Sequence, residues 1–316
     1  MRRAVKDWLK EVFFWMYKLG TRMGVFILPV HYYSSEPNIL ELKRTLDIWA
    51  KPSSLPGVKV DLDEQIGNLR KISTPFRHEY IGNNIYKTAI AAQYGPGFGF
   101  IEAELLHSVI RYYQPSRVIE IGSGRSTYCI LTALKMNARD NGRTWKMTCI
   151  EPHPSARLLD LVSSEVNVRI ISQPVQSVPL ELFADLSVND LLFIDSSHVV
   201  KAGSDVNHVI LEVLPELNRG VLVHFHDICF PYDYQRDLLR TFLHNNETSL
   251  LRAFLIFNQE FSMLFCLSHL HYERREDLKA IFPDYEPQSD WNGLANEKCD
   301  PDIKHFPSSL WLQVCN

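Results

Sequence analysis

The chain has 316 residues, 46% hydrophobic and 22% charged, the proportions of an ordinary globular protein with a sizeable core. A formal net charge of −4, with Lys and Arg dispersed, gives no electrostatic ground for a nucleic-acid partner. No stretch holds the roughly 18 to 20 uninterrupted apolar residues of a membrane span. Six cysteines, at 129, 149, 229, 266, 299 and 315, lack Cys-x-x-Cys spacing, which points to free thiols in a reducing, cytoplasmic setting.

The segment from Val5 to Arg22 carries Lys6, Asp7, Lys10, Glu11 and Lys18, and no small-residue cleavage site follows, so it does not read as a signal peptide. Trp8, Leu9, Val12, Trp15, Met16 and Leu19 recur at helical spacing on a wide apolar face. Such a helix either packs on the body of the protein or lies peripherally at a membrane, on the inner face for a cytoplasmic protein. Helices are predicted over Leu40–Trp49 and Asp61–Lys71, and the glycine-rich run 95–99 breaks the chain before a helix over Ile101–Tyr113. Residues 1–100 therefore read as an N-terminal helical and aromatic cap without strands for a sheet of its own.

From residue 115 strand and helix signals alternate, the pattern of a parallel sheet covered on both faces. Strands are expected at 117–121, Lys146–Glu151, Val168–Ser172, Leu191–Asp195 and Val221–His226, with helices over 128–137, Ser155–Ser164 and 204–214. A further helix is expected over Gln235–Asn245, then an antiparallel pair, Leu250–Asn258 with Phe261–Leu267. The catalytic domain accordingly spans 101–270 and is α/β and Rossmann-like. Residues 271–316 read as an irregular extension, Pro- and Asp-rich from 283 to 309.

The first strand ends in Glu120-Ile-Gly122-Ser123-Gly124. The glycines allow a tight turn and close approach of a ligand, and Ser126 or Thr127 can cap the helix that follows, whose N-terminus favours a polar or anionic group. A dinucleotide fingerprint asks for glycine where Thr127 stands. The acid two residues before the first glycine instead resembles the first motif of class I S-adenosylmethionine-dependent methyltransferases. That resemblance implies a seven-stranded, mostly parallel sheet with an antiparallel last strand. It also implies S-adenosylmethionine over Gly122, Ser123 and Gly124, with Ser126 and Thr127 beside it and Glu120 orienting its methionine end. Glu151, at the second strand tip, then takes the ribose hydroxyls with Pro152 beside it, and Gln176 falls where the adenine is contacted.

The fourth and fifth strands end in Asp195-Ser-Ser-His198 and His224-Phe-His226-Asp227. Ligands of open α/β sheets bind outside such strand ends, and this concentration of titratable groups marks a catalytic site. The pairing is similar to that of a bacterial subgroup of the family that tailors small molecules and saccharides. It implies O-methylation of a small-molecule or saccharide acceptor, with Asp195 at the cofactor's ammonium. His198 is the first choice of general base and His226 the second, with Asp227 beside them; His224 reads as a satisfied core histidine. The metal-dependent catechol-type branch places carboxylates after the same two strands, so Asp195, His226 and Asp227 form a candidate divalent-metal set for Mg, Mn or Fe. His31, Tyr32, Tyr80, Asn84, Tyr86, Phe230, Tyr232 and Tyr234 are candidate acceptor walls, and a homodimer is compatible with all of this. Two rivals are metal-dependent oxidation at the same residues and a non-catalytic, membrane-associated partner that uses the N-terminal helix.

Overall fold

The computed structural model describes residues 2–95, 97–295 and 306–315. It divides into two units, Met1–Ala50 and Lys51–Asn316. Pro96, Cys299 and the 296–305 part of the expected irregular segment lie outside the described residues.

The first unit holds α1 (Arg2–Arg22), α2 (Ile39–Arg44) and α3 (Leu46–Trp49). Asn38 caps α2, its side chain accepting the Leu40 and Glu41 amides. The expected 1–100 cap is thus divided at residue 50, because α4 (Leu62–Ser73) buries Ile66, Leu69 and Ile72 in the core of the second unit.

In that unit α5 (Asn84–Ala91) and α6 (Phe100–Tyr113) precede β1 (Arg117–Ile121) and α7 (Arg125–Asn141). There follow β2 (Lys146–Ile150), α8 (Ala156–Ser163), β3 (Val168–Ile171), α9 (Glu181–Ala184), β4 (Leu191–Ile194), α10 (Asp205–His208) and β5 (Leu222–Phe225). The C-terminal part adds α11 (Glu247–Leu255), β6 (Phe261–Cys266), α12 (Leu267–Glu273), α13 (Arg275–Ile281), the short pair β7 (Asp290–Trp291) and β8 (Leu294–Ala295), and β9 (Leu310–Val314).

Seven strands form one sheet in the order β3-β2-β1-β4-β5-β9-β6, parallel except for β9, which runs antiparallel between β5 and β6. Strand side chains alternate between two helical layers. Val118, Met147, Leu191, Phe193 and Leu222 join α6 and α7 on one face. Ile119, Ile121, Leu192, Ile194, Val223 and Phe225 face α10 and α11 on the other. Each such side chain, fully withdrawn from water, contributes about 1.5–3 kcal/mol.

Three expectations change. Residues 235–245 form turns, and the helix is α11, where a strand was expected. Thr248, Leu251 and Leu255, at i, i+3 and i+7, are its buried face, so the apolar run is helical in period. The partner of β6 is β9, not 250–258. Residues 271–316 are consequently no mere extension, since they supply the strand that completes the sheet.

Candidate active site

The β1 tip turns so tightly that its glycine is obligatory. Gly122 has φ +78°, and a Cβ there would sit 1.8 Å from the carbonyl oxygen of Asp195. The turn thereby locks the β1 tip against the β4 tip. Gly124 starts α7, and its N–H donates to Thr127 Oγ1 at 3.0 Å.

Glu120 lies fully buried beneath this turn, where Ser126 and Thr127 donate their hydroxyls to its two carboxylate oxygens at 2.7 and 2.6 Å. Burial raises its carboxyl to about 7 against the lowering effect of those hydroxyls. Glu120, Ser126 and Thr127 therefore brace the turn from below. Glu151, half-buried at the β2 tip, accepts the Ser123 N–H at 3.3 Å and the His153 N–H at 2.8 Å. Its carboxylate thus spans from the second strand to the glycine turn. Pro152 is exposed beside it, and exposed Gln176 donates to the Gly203 carbonyl at 2.8 Å.

The β4 and β5 tips converge. His198 Nε2 lies 3.3 Å from Asp195 and 3.7 Å from Asp227, while its Nδ1 lies 2.8 Å from Glu247. His226 Nε2 stands 3.6 Å from Asp227, and its Nδ1 is 3.4 Å from Glu102. Both His198 (φ +59°) and Asp227 (φ +55°) occupy the left-handed region, at about 1–3 kcal/mol each, and are held there by neighbouring bonds. The His198 carbonyl accepts the Asn246 and Glu247 amides, and Asp227 accepts the Ser308 hydroxyl at 2.9 Å.

Charge decides what these imidazoles do. Burial opposes protonation of His198, but Asp195, Glu247 and Asp227 outweigh it and raise it well above the ordinary histidine value. His226 is likewise raised to about 10, as Glu102, Asp227 and Asp195 overcome its burial. Asp195 is pushed up by burial, yet His226 and His198 hold it below the usual carboxylate range. His224 is the opposite case: burial, assisted by His226, lowers it to about 3, and it stacks on Phe193 with Nε2 3.1 Å from the Ser309 hydroxyl.

Residues 119–228, which contain the glycine turn and both of these strand tips, match a family model described as a methyltransferase domain. These residues form a methyltransferase domain. A protein of Archaeoglobus fulgidus, itself uncharacterized, is 29% identical, covering 53% of this chain and 76% of its own. A Staphylococcus aureus structure titled as a caffeoyl-CoA O-methyltransferase is 16% identical, covering 64% of this chain and 93% of its own at a TM-score of 0.40. A Thermobifida fusca methyltransferase structure is 10% identical, covering 85% and 97% at a TM-score of 0.33.

Within the methyltransferase domain the expected metal set is not assembled. Among the described residues no three His, Cys, Asp or Glu side chains form a group able to hold a metal ion. Asp195 is paired with His198, and His226 and Asp227 with each other. The expected acceptor walls are mostly packing: Phe230 is fully buried, Tyr80 is buried against the Ser108 hydroxyl, and the Tyr234 hydroxyl donates to the Asn292 carbonyl. Tyr86 is buried with its hydroxyl 3.4 Å from Arg125.

Three contributors escaped the sequence reading. Glu247 opens α11 and clamps His198, and its neighbour Thr248 accepts the Cys229 N–H at 3.3 Å. Glu102, at the start of α6, gathers His226 and the hydroxyls of Ser308 and Ser309. No local signal marks Glu247 or Ser308, since each reaches the site across a large loop. Glu102 carries a weak one, a buried acid on an otherwise apolar helix face.

Proposed function

We propose that the chain transfers the methyl group of S-adenosylmethionine to a hydroxyl oxygen of a small metabolite or saccharide. The observation that carries this reading is the acid-lined crevice, in which Glu151 reaches the Ser123 amide of the glycine turn while Asp195 and Asp227 stand at the neighbouring tips. Gly122–Gly124 would underlie the cofactor, Glu151 would take its ribose hydroxyls and Asp195 its ammonium. The bound cofactor supplies an electrophilic methyl group on a sulfonium.

The acceptor's proton needs a nearby base. His198 and His226, expected in that role, are raised above the ordinary histidine value by the carboxylates around them, which favours their protonated forms. Asp227, 45% exposed and the most open acid of the cluster, is the better-placed acceptor. In this reading the two imidazolium rings position it and offset the negative charge of the crevice. The charged, partly exposed side chains of the cluster suit a polar acceptor.

The test is calorimetric titration with S-adenosylhomocysteine of the wild type and of Glu151→Ala. Binding in the micromolar range is expected for the wild type, weakened by about tenfold or more in the variant, as for loss of charge-assisted hydrogen bonds. Absence of binding to the wild type overturns the reading.

A further inference from the structure

We propose that residues 2–33 lie on an anionic lipid-bilayer surface, with α1 in the plane of the headgroups. In α1 the residues Val5, Trp8, Leu9, Val12, Phe13, Trp15, Met16 and Leu19 share one continuous face of the helix. Lys10, Lys18 and Arg22 occupy the other, together with Asp7 and Glu11.

Among the described residues most of that apolar face is open, with Val12 and Met16 half-buried and the others exposed. Trp8 is 63% exposed and Trp15 61%. The chain then doubles back on the helix end: the Val25 N–H donates to the Gly20 carbonyl at 2.9 Å, and Phe26 stacks on Tyr17 at 5.8 Å. Gly20 is needed for this return, since a Cβ there would lie 2.7 Å from the Val25 carbonyl oxygen. The returning segment adds Met23, Phe26, Ile27, Leu28 and Val30 as further exposed apolar side chains. Most of the large hydrophobic side chains exposed among the described residues fall in this one unit.

Charge selects the occupant. Over residues 2–22 six basic residues (Arg2, Arg3, Lys6, Lys10, Lys18, Arg22) stand against two acidic ones, a net of +4, whereas the whole chain carries −4. The remainder therefore carries −8, so the net attraction to an anionic surface comes from this segment. A second copy would bring one +4 helix against another, and like charges oppose that pairing. The segment has the composition of an interfacial helix, with aromatic and aliphatic residues on one face and Lys and Arg on the other. It does not span, because no helix among the described residues is long and apolar enough to cross a membrane.

The experiment is co-sedimentation of the full chain with phosphatidylcholine vesicles, with and without 30 mol% phosphatidylglycerol (roughly the charge density of an anionic leaflet). Three variants are compared: wild type, Trp8→Ser/Trp15→Ser and Lys10→Glu/Lys18→Glu. The expected result is binding that is about tenfold or more stronger with phosphatidylglycerol, weakened by salt, and lost in both variants. The charge variant leaves the apolar face intact, so the proposal stays testable if the tryptophan variant fails to fold. A wild type that stays in the supernatant overturns it, as does vesicle binding equal in all three proteins. A concentration-dependent dimer without vesicle binding, abolished by the tryptophan variant, overturns it in favour of a second copy.

Discussion

Gly122 shows how much one missing side chain decides. Its φ of +78° disfavours any L-residue, and the Asp195 carbonyl occupies the space of a Cβ at 1.8 Å. Gly122→Ala should therefore cost more than about 3 kcal/mol, because the two strand tips must separate; an unfolding free energy from denaturant titration within about 1 kcal/mol (about one-tenth of a typical stability) of wild type would contradict this close approach. Gly124 has an extended φ of −179° and carries no such demand. The pattern Glu120-x-Gly122-x-Gly124 was legible as a ligand turn. That Glu120 faces inward, to Ser126 and Thr127, was not, because a strand residue's face depends on which layer packs above it.

Among the elements, β9 contributes most that was unforeseen. Leu310, Trp311, Leu312 and Val314 are buried between β5 and β6, and Trp311 lies edge-on to His224 at 4.7 Å. The residues just before it, Ser308 and Ser309, serve Glu102 and Asp227. The last strand thus supports the fold and the site together. Trp311→Ala should cost about 3–5 kcal/mol, as for other fully buried aromatic truncations, read from chemical unfolding; a loss below 1 kcal/mol (the range of a surface substitution) would make β9 peripheral. Element α11 teaches a related lesson. Its apolar run suited a strand by composition, and the helix won because its i, i+3, i+7 face meets the sheet and its first turn binds two strand-tip loops.

Over the whole molecule, stability against pH sums buried groups of opposite sign. Glu79 is pushed up by burial, but His107 and Arg111 prevail and lower it to about 2, so its contribution is present above the unfolded value of 4.5 and lost as pH falls toward 2. Glu120 is raised from 4.5 to about 7, so the folded state retains its proton longer, and stability declines as pH rises from 4.5 to 7. Glu120→Gln should remove a decline of order 3 kcal/mol across that window. Thermal unfolding of both proteins from pH 4 to pH 8 (spanning the ordinary and raised carboxylate values) measures it, and parallel curves would refute it. His226, raised to about 10, adds a loss at higher pH, from 6.5 through 10.

By itself the sequence determined the five parallel strands, the glycine turn and the acids at the strand tips. Each of these is written locally, in apolar period, in glycine position and in the residue that ends a strand. Tertiary structure alone decided that 310–314 enters the sheet, that Glu247 and Glu102 reach the two histidines, and that three carboxylates surround His198. The upward shifts of His198 and His226 follow from those distances, since Coulomb attraction depends on separation in space and not along the chain.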